Sequence, residues 1–135
     1  MKCLFVEDNR VTSLAVSRIL LNDYPSIDLI QSEHGQEALD YLEQCTKSEL
    51  PYFILLDLNM PIMDGIEFLV ALRKDDRFAT IPVVIHTTSS NLEDYYKCQI
   101  LGVSGYFVKH VDFKKFKETL KIIITYWANS FNNRI

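Results

Sequence analysis

The chain has 135 residues, 48% hydrophobic and 24% charged, with a net charge of −4. A chain of this length buries roughly 68% of the surface its extended form exposes, so one domain with a full core is expected and a disordered chain is excluded. Apolar runs of only a few residues, acid at Glu7 and Asp8 soon after Met1, and 18 acidic against 14 basic side chains predict no membrane span, no signal peptide and no nucleic-acid surface.

Short apolar runs alternate with helical stripes along the chain. Residues 3–6 read as a strand, and Val11, Ala15 and Ile19, four apart, as the helix after it. Residues 27–30 follow as a second strand, then a helix on Ala38, Leu42 and Cys45. The third unit is residues 53–56 with Ile66, Leu69 and Val70, and the fourth is residues 83–85 with Leu92, Tyr96 and Ile100. A fifth strand, residues 106–108, precedes the longest stripe: Phe113, Phe116, Leu120, Ile123, Ile124 and Trp127. The first, third and fourth runs lack polar alternation, as strands buried on both faces do. Pro25, Pro51, Pro61 and Pro82 fall between these patterns, never inside a helical stripe.

Five strand–helix units predict an α/β, doubly wound, five-stranded parallel sheet with five helices, since parallel neighbours need crossover connections. The expected domain covers residues 1–128, with 129–135 as a short tail. Cys3, Cys45 and Cys98 are odd in number and lack ligand spacing, so neither a disulfide framework nor a zinc site is expected, and a cytoplasmic location is.

In an open parallel sheet, ligands sit beyond the carboxyl ends of the strands. Glu7 and Asp8 stand there after the first run, Asp57 after the third, Thr87, Thr88 and Ser89 after the fourth, and Lys109 after the fifth. In the flavodoxin-like order 2-1-3-4-5 the first and third strands are neighbours, so three carboxylates converge with a hydroxyl and an ammonium opposite. Packed carboxylates repel unless a cation neutralises them, and oxygen-only ligands suit Mg²⁺ (or Mn²⁺). Asp57 is then placed to be a nucleophile towards phosphorus, with Lys109 balancing charge on the phosphoryl oxygens and Thr87 donating to them. Singly, each residue has a plainer role; Asp8, for example, is also a candidate helix cap.

The stretches Leu4-Phe5-Val6-Glu7-Asp8-Asn9, Ile54-Leu55-Leu56-Asp57-Leu58-Asn59-Met60-Pro61-Ile62-Met63-Asp64-Gly65, Ile81-Pro82-Val83-Val84-Ile85-His86-Thr87-Thr88 and Gly102-Val103-Ser104-Gly105-Tyr106-Phe107-Val108-Lys109 resemble the response-regulator receiver domain of two-component signalling, similar to the single-domain chemotaxis type. The resemblance implies that Asp57 is the phosphoacceptor, that Asp8 ligates Mg²⁺ directly and Glu7 largely through water, and that the Asn59 backbone carbonyl completes the protein ligands. It implies that Thr87 and Lys109 bind the phosphoryl group and that Tyr106 is an aromatic switch coupled to Thr87. The family usually has proline, in a cis bond, after the lysine; here His110 follows, so the bond either holds strain or is trans. The family usually has a small residue after the threonine; here Thr88 is expected to narrow access to Asp57.

The function implied is a phosphorylation switch, regulatory rather than metabolic. It would be charged by a histidine kinase or phosphotransfer protein and act on a separate output protein, with no nucleic-acid or membrane partner. Two alternatives are a phosphorylation-independent pseudo-receiver and a small phosphatase with an aspartyl-phosphate intermediate. The second normally needs an acid two residues after the nucleophile, where this chain has Asn59. On the last helix, Ile122 and Tyr126 lie opposite the core stripe and are expected to be an exposed apolar strip for a partner or a homodimer.

Overall fold

The computed structural model describes residues 1–133. Its strands are β1 (Lys2–Val6), β2 (Asp28–Ser32), β3 (Phe53–Leu56), β4 (Val83–Thr87) and β5 (Gly105–Val108). Its helices are α1 (Arg10–Asp23), α2 (Gly35–Gln44), α3 (Gly65–Lys74), α4 (Leu92–Ile100) and α5 (Phe113–Asn132), with a 3₁₀ turn at Lys47–Glu49. The strands form one parallel sheet in the order β2-β1-β3-β4-β5, as the sequence predicts.

Every residue of β3 and β4 is buried, and so are all but the first of β1, which accounts for their unbroken apolar runs. The edge strands β2 and β5 are only partly covered, so Asp28 and Gln31 are tolerated there. Side-chain alternation divides the core in two. Leu4, Val6, Ile54, Leu56, Val83 and Ile85 pack with α2, α3 and Cys98 of α4. Cys3, Phe5, Phe53, Leu55 and Val84 pack with α1 and α5 on the other face.

Four helical stripes differ from expectation; in α3, Leu69 is buried as expected, but with Phe68 and Leu72, while Ile66 and Val70 are half-buried. In α1 the buried residues are Val16, Ile19 and Leu20, and Val11 is 78% exposed. A four-residue spacing drifts about 40° per step at 100° per residue, and Val11 stands in the first turn, beyond the sheet. In α4, Leu92, Tyr96 and Ile100 all face outward, and Cys98 alone is buried, because this helix covers only the half-exposed edge at β5. In α5, Phe116, Leu120, Ile123, Ile124 and Trp127 are buried as expected, but Phe113, the first helical residue, is exposed. The same helix continues past residue 128 to Asn132, where Ser130 Oγ lies 2.9 Å from Tyr52 Oη and the Phe131 ring meets Tyr52 edge-on. Of the expected tail, residues 134–135 lie outside the described residues.

The register pairs Val6 with Leu56, Leu56 with Ile85 and Ile85 with Tyr106. One position further, Glu7 and Asp57 follow the ends of β1 and β3, in line with His86, the penultimate residue of β4. That row lies at the carboxyl end of the sheet, where a cleft is expected.

Candidate functional site

Asp57 is held by the backbone on both sides. Its N–H donates to Val6 O at 3.1 Å, and its Oδ1 accepts from Leu58 N–H at 2.8 Å. The loop that follows doubles back, with Gly65 N–H donating to Leu58 O at 2.9 Å. Within it Ile62 has φ 67°, an uncommon conformation for a β-branched residue, and Gly35 N–H at the start of α2 donates to Met63 O at 3.0 Å. This loop carries Asn59, exposed at the cleft rim.

Glu7 and Asp8 come from the turn after β1. Asn9, not Asp8, caps α1: its Oδ1 accepts from Thr12 N–H at 3.1 Å. Asp8 is exposed and has no capping duty, whereas Glu7 is buried and its Oε2 accepts from Asn9 N–H at 3.2 Å. Glu7, Asp8 and Asp57 each place a carboxylate oxygen within 4.8 Å of the others.

Lys109 closes the cluster. Its Nζ donates to Glu7 Oε1 and lies 3.5 Å from Asp57 Oδ2, with the side chain almost wholly buried. No cis peptide bond occurs among the described residues, so the Lys109–His110 bond is trans, and the lysine reaches the carboxylates without a following proline. Lys109 N–H donates to Thr87 O at 2.6 Å, tying the end of β5 to that of β4. Burial, then repulsion from Asp57, push the Glu7 carboxyl up to about 7, and the bond from Lys109 only partly offsets them.

Thr87 is fully buried, and its Oγ1 accepts from Ser89 N–H at 3.2 Å. Thr88 is exposed, with its Oγ1 3.5 Å from Asn59 Nδ2, so the two side chains meet across the mouth of the cleft. Tyr106 is half-buried; its hydroxyl donates to Ser89 O at 3.0 Å and its ring meets Tyr95 edge-on. Ile122 and Tyr126 are each 63% exposed on α5 and take no part in the acidic cluster.

The sequence reading did not single out His86. It is buried in the Asp57 row with neither ring nitrogen hydrogen-bonded, and burial holds its imidazole down at about 4, hence neutral at pH 7. Its position inside an apolar run, Val83-Val84-Ile85-His86, was the available signal.

The arrangement gathers three carboxylates, Glu7 and Asp57 buried and Asp8 exposed, with the Lys109 ammonium against them and Thr87 at the adjoining strand end. That donor set is suited to a divalent cation and to charge developing on phosphoryl oxygens.

Residues 3–121 match the response regulator receiver domain family. A probable methanogenesis regulatory protein, FilR2 of Methanothrix harundinacea, is 34% identical over 92% of this chain and 81% of its own length. The phosphorylated cyanobacterial phytochrome response regulator RcpA superposes with a TM-score of 0.88 at 31% identity, over 96% of this chain and 94% of its own. The Mn²⁺-bound form of response regulator Rcp1 superposes with a TM-score of 0.85 at 32% identity, over 93% of each chain.

Proposed function

Because the chain belongs to the response regulator receiver family of two-component signalling, we propose that it is a switch in which Asp57 accepts a phosphoryl group from a histidine kinase or phosphotransfer protein. The observation that carries this reading is the gathering of Glu7, Asp8 and Asp57 beneath Lys109, with Thr87 on the adjoining strand end. Asp57 Oδ2 attacks phosphorus as the bond from phosphorus to the donor nitrogen breaks, and the donor imidazole leaves with the electron pair. Lys109 exchanges part of its contact with Glu7 for the phosphoryl oxygens, and the Thr87 hydroxyl donates a hydrogen bond to one of them.

The donor set suits Mg²⁺, or the Mn²⁺ held by the related Rcp1 structure. Asp8 and Asp57 would ligate it directly, Glu7 through water, and the Asn59 carbonyl would complete the protein ligands. When bound, the ion neutralises the carboxylates and stabilises charge on the transferring group. Glu7 must be ionised to contribute, so Mg²⁺ affinity should weaken about tenfold from pH 8 to pH 6. Calorimetric Mg²⁺ titrations check this; equal affinity at both values would contradict it.

The family is regulatory, and the competing phosphatase reading lacks its acid: Asn59 offers an amide where a carboxylic acid would be needed. With acetyl phosphate and Mg²⁺, a switch gives labelling near one phosphoryl per chain and slow phosphate release. Rapid steady turnover of phosphate esters would favour the phosphatase, and no labelling at all the pseudo-receiver. The contact between Thr88 and Asn59 across the mouth supports Thr88 as an access control. Thr88→Ala should therefore label faster with small donors while Mg²⁺ affinity stays within about a factor of two. Slower labelling would mean that its hydroxyl assists.

Output passes to a separate protein or a second copy through the α5 strip of Ile122 and Tyr126, both 63% exposed, with the Tyr126 ring edge-on to Trp127. Replacing both with Asp should abolish phosphorylation-dependent association measured by sizing chromatography, with the fold intact. Undiminished association would leave the strip as ordinary surface.

A further inference from the structure

The loop between β4 and α4 converges on Ser89. Its N–H donates to Thr87 Oγ1 at 3.2 Å, and its carbonyl accepts from the Tyr106 hydroxyl at 3.0 Å. Its own hydroxyl donates to Asp94 Oδ2 at 2.7 Å and accepts from Asn91 N–H at 3.3 Å. Asn91 caps α4 through Glu93 N–H, and Asp94 is the third residue of that helix. An acid at this position ordinarily reaches back to the N–H of the capping residue itself. Here the Ser89 hydroxyl is inserted between the two, so the start of α4 grips the loop by its side chain.

The grip bears on the chemistry through Thr87. A hydroxyl has one proton to donate and two lone pairs. With one lone pair held by Ser89 N–H, the rotation of the Thr87 hydroxyl is restricted and its proton is left for another acceptor. The Ser89–Asp94 bond is charge-assisted and part-buried, which makes it the strongest tie on the loop.

We infer that Asp94 is a positioning residue for Thr87, acting through Ser89: it fixes the loop so that the Thr87 hydroxyl is aimed at the phosphoryl site and the Ser89 carbonyl at Tyr106. This rests on the phosphoacceptor reading of Asp57 for its effect on labelling, but not for its effect on Tyr106. The same serine serves both residues, so loosening Asp94 disturbs the site and the ring together.

The test compares wild type with Asp94→Ala, Asp94→Asn, Ser89→Ala and the double alanine variant. Labelling by acetyl phosphate at saturating Mg²⁺ is measured with the Tyr106 ring resonances of the unphosphorylated protein. Asp94→Ala and Ser89→Ala should each label about fivefold slower, and the double variant no slower than either. Mg²⁺ affinity should not change, and the Tyr106 ring signals should shift in all three. Asp94→Asn should recover most of the rate, because its amide oxygen still accepts from Ser89. Glu93→Ala removes a charge from the same helical turn without touching Ser89, and should label as wild type.

Wild-type rates and Tyr106 signals in a folded Asp94→Ala protein would overturn the inference. So would equal slowing by Glu93→Ala, which would reduce Asp94 to a helix-stabilising charge. If wild type itself takes no phosphoryl group, the reading of Asp57 fails, and the Tyr106 resonances alone decide for or against Asp94.

Discussion

Asp57→Asn should take up no phosphoryl group under conditions that label wild type fully, and it should do so as a folded protein. The amide oxygen can still accept from Leu58 N–H, the bond that holds the side chain in place, so the fold keeps its contact. What is lost is the anionic oxygen proposed to attack phosphorus. The variant also removes one of three crowded carboxylates, so its metal-free stability should equal or exceed that of wild type. Asp8→Asn is the informative contrast. It leaves the nucleophile untouched but weakens the cation site by at least about tenfold, so labelling should return as Mg²⁺ is raised. Intact mass measurement across a Mg²⁺ series separates the two. Equal labelling of wild type and Asp57→Asn would remove Asp57 from the role.

Gly65→Ala should damage fold and site together. A Cβ there would stand 2.4 Å from the carbonyl oxygen of Asp57 and 2.7 Å from Leu58 Cα, both backbone atoms of the segment that carries the proposed phosphoacceptor. Neither can give way without moving Asp57. The expected cost is on the order of 3 kcal/mol, a fall in melting temperature of roughly 10 °C, with labelling impaired in the fraction that remains folded. Gly102→Ala is the control. Gly102 has φ 72° and open space around it, so alanine costs about 1 kcal/mol of backbone strain and labelling should match wild type. Thermal melts and labelling rates of the two variants test the contrast; a Gly65→Ala protein as stable and as reactive as wild type would refute the close approach.

The central sheet was legible because β1, β3 and β4 are covered on both faces, so residues 3–6, 53–56 and 83–85 are unbroken apolar runs. For the same reason Glu7, Asp57 and Thr87 stood out, since each is the first polar group after, or the last residue of, a buried run. The helices were harder to read. Leu92, Tyr96 and Ile100 keep a helical spacing but turn to solvent, because α4 lies over a sheet edge and periodicity does not say which face meets the core. The α1 stripe drifted off the core at its start: Ile19 is buried and Ala15 packs against the core, but Val11 is exposed while Val16 and Leu20 are buried.

Loops carried what sequence patterns do not encode. Nothing in Pro61-Ile62-Met63 announces an isoleucine at positive φ, around which Met63 N–H donates to Pro61 O at 2.7 Å in a tight turn. The tie from Ser89 to Asp94 depends on how the β4–α4 loop folds back on its helix, and spacing alone does not specify that return. The trans bond before His110 was likewise decided by geometry: the pairing of Lys109 N–H with Thr87 O brings the lysine inward without proline.

The most direct measurement is to locate the phosphoryl group itself. The protein is treated with acetyl phosphate in Mg²⁺ or in EDTA, the acyl phosphate is trapped by borohydride reduction, and the modified peptide is sequenced by mass spectrometry. The account predicts one modified residue, Asp57, in Mg²⁺ and none in EDTA. Modification at any other residue, or equal modification without the cation, would contradict it.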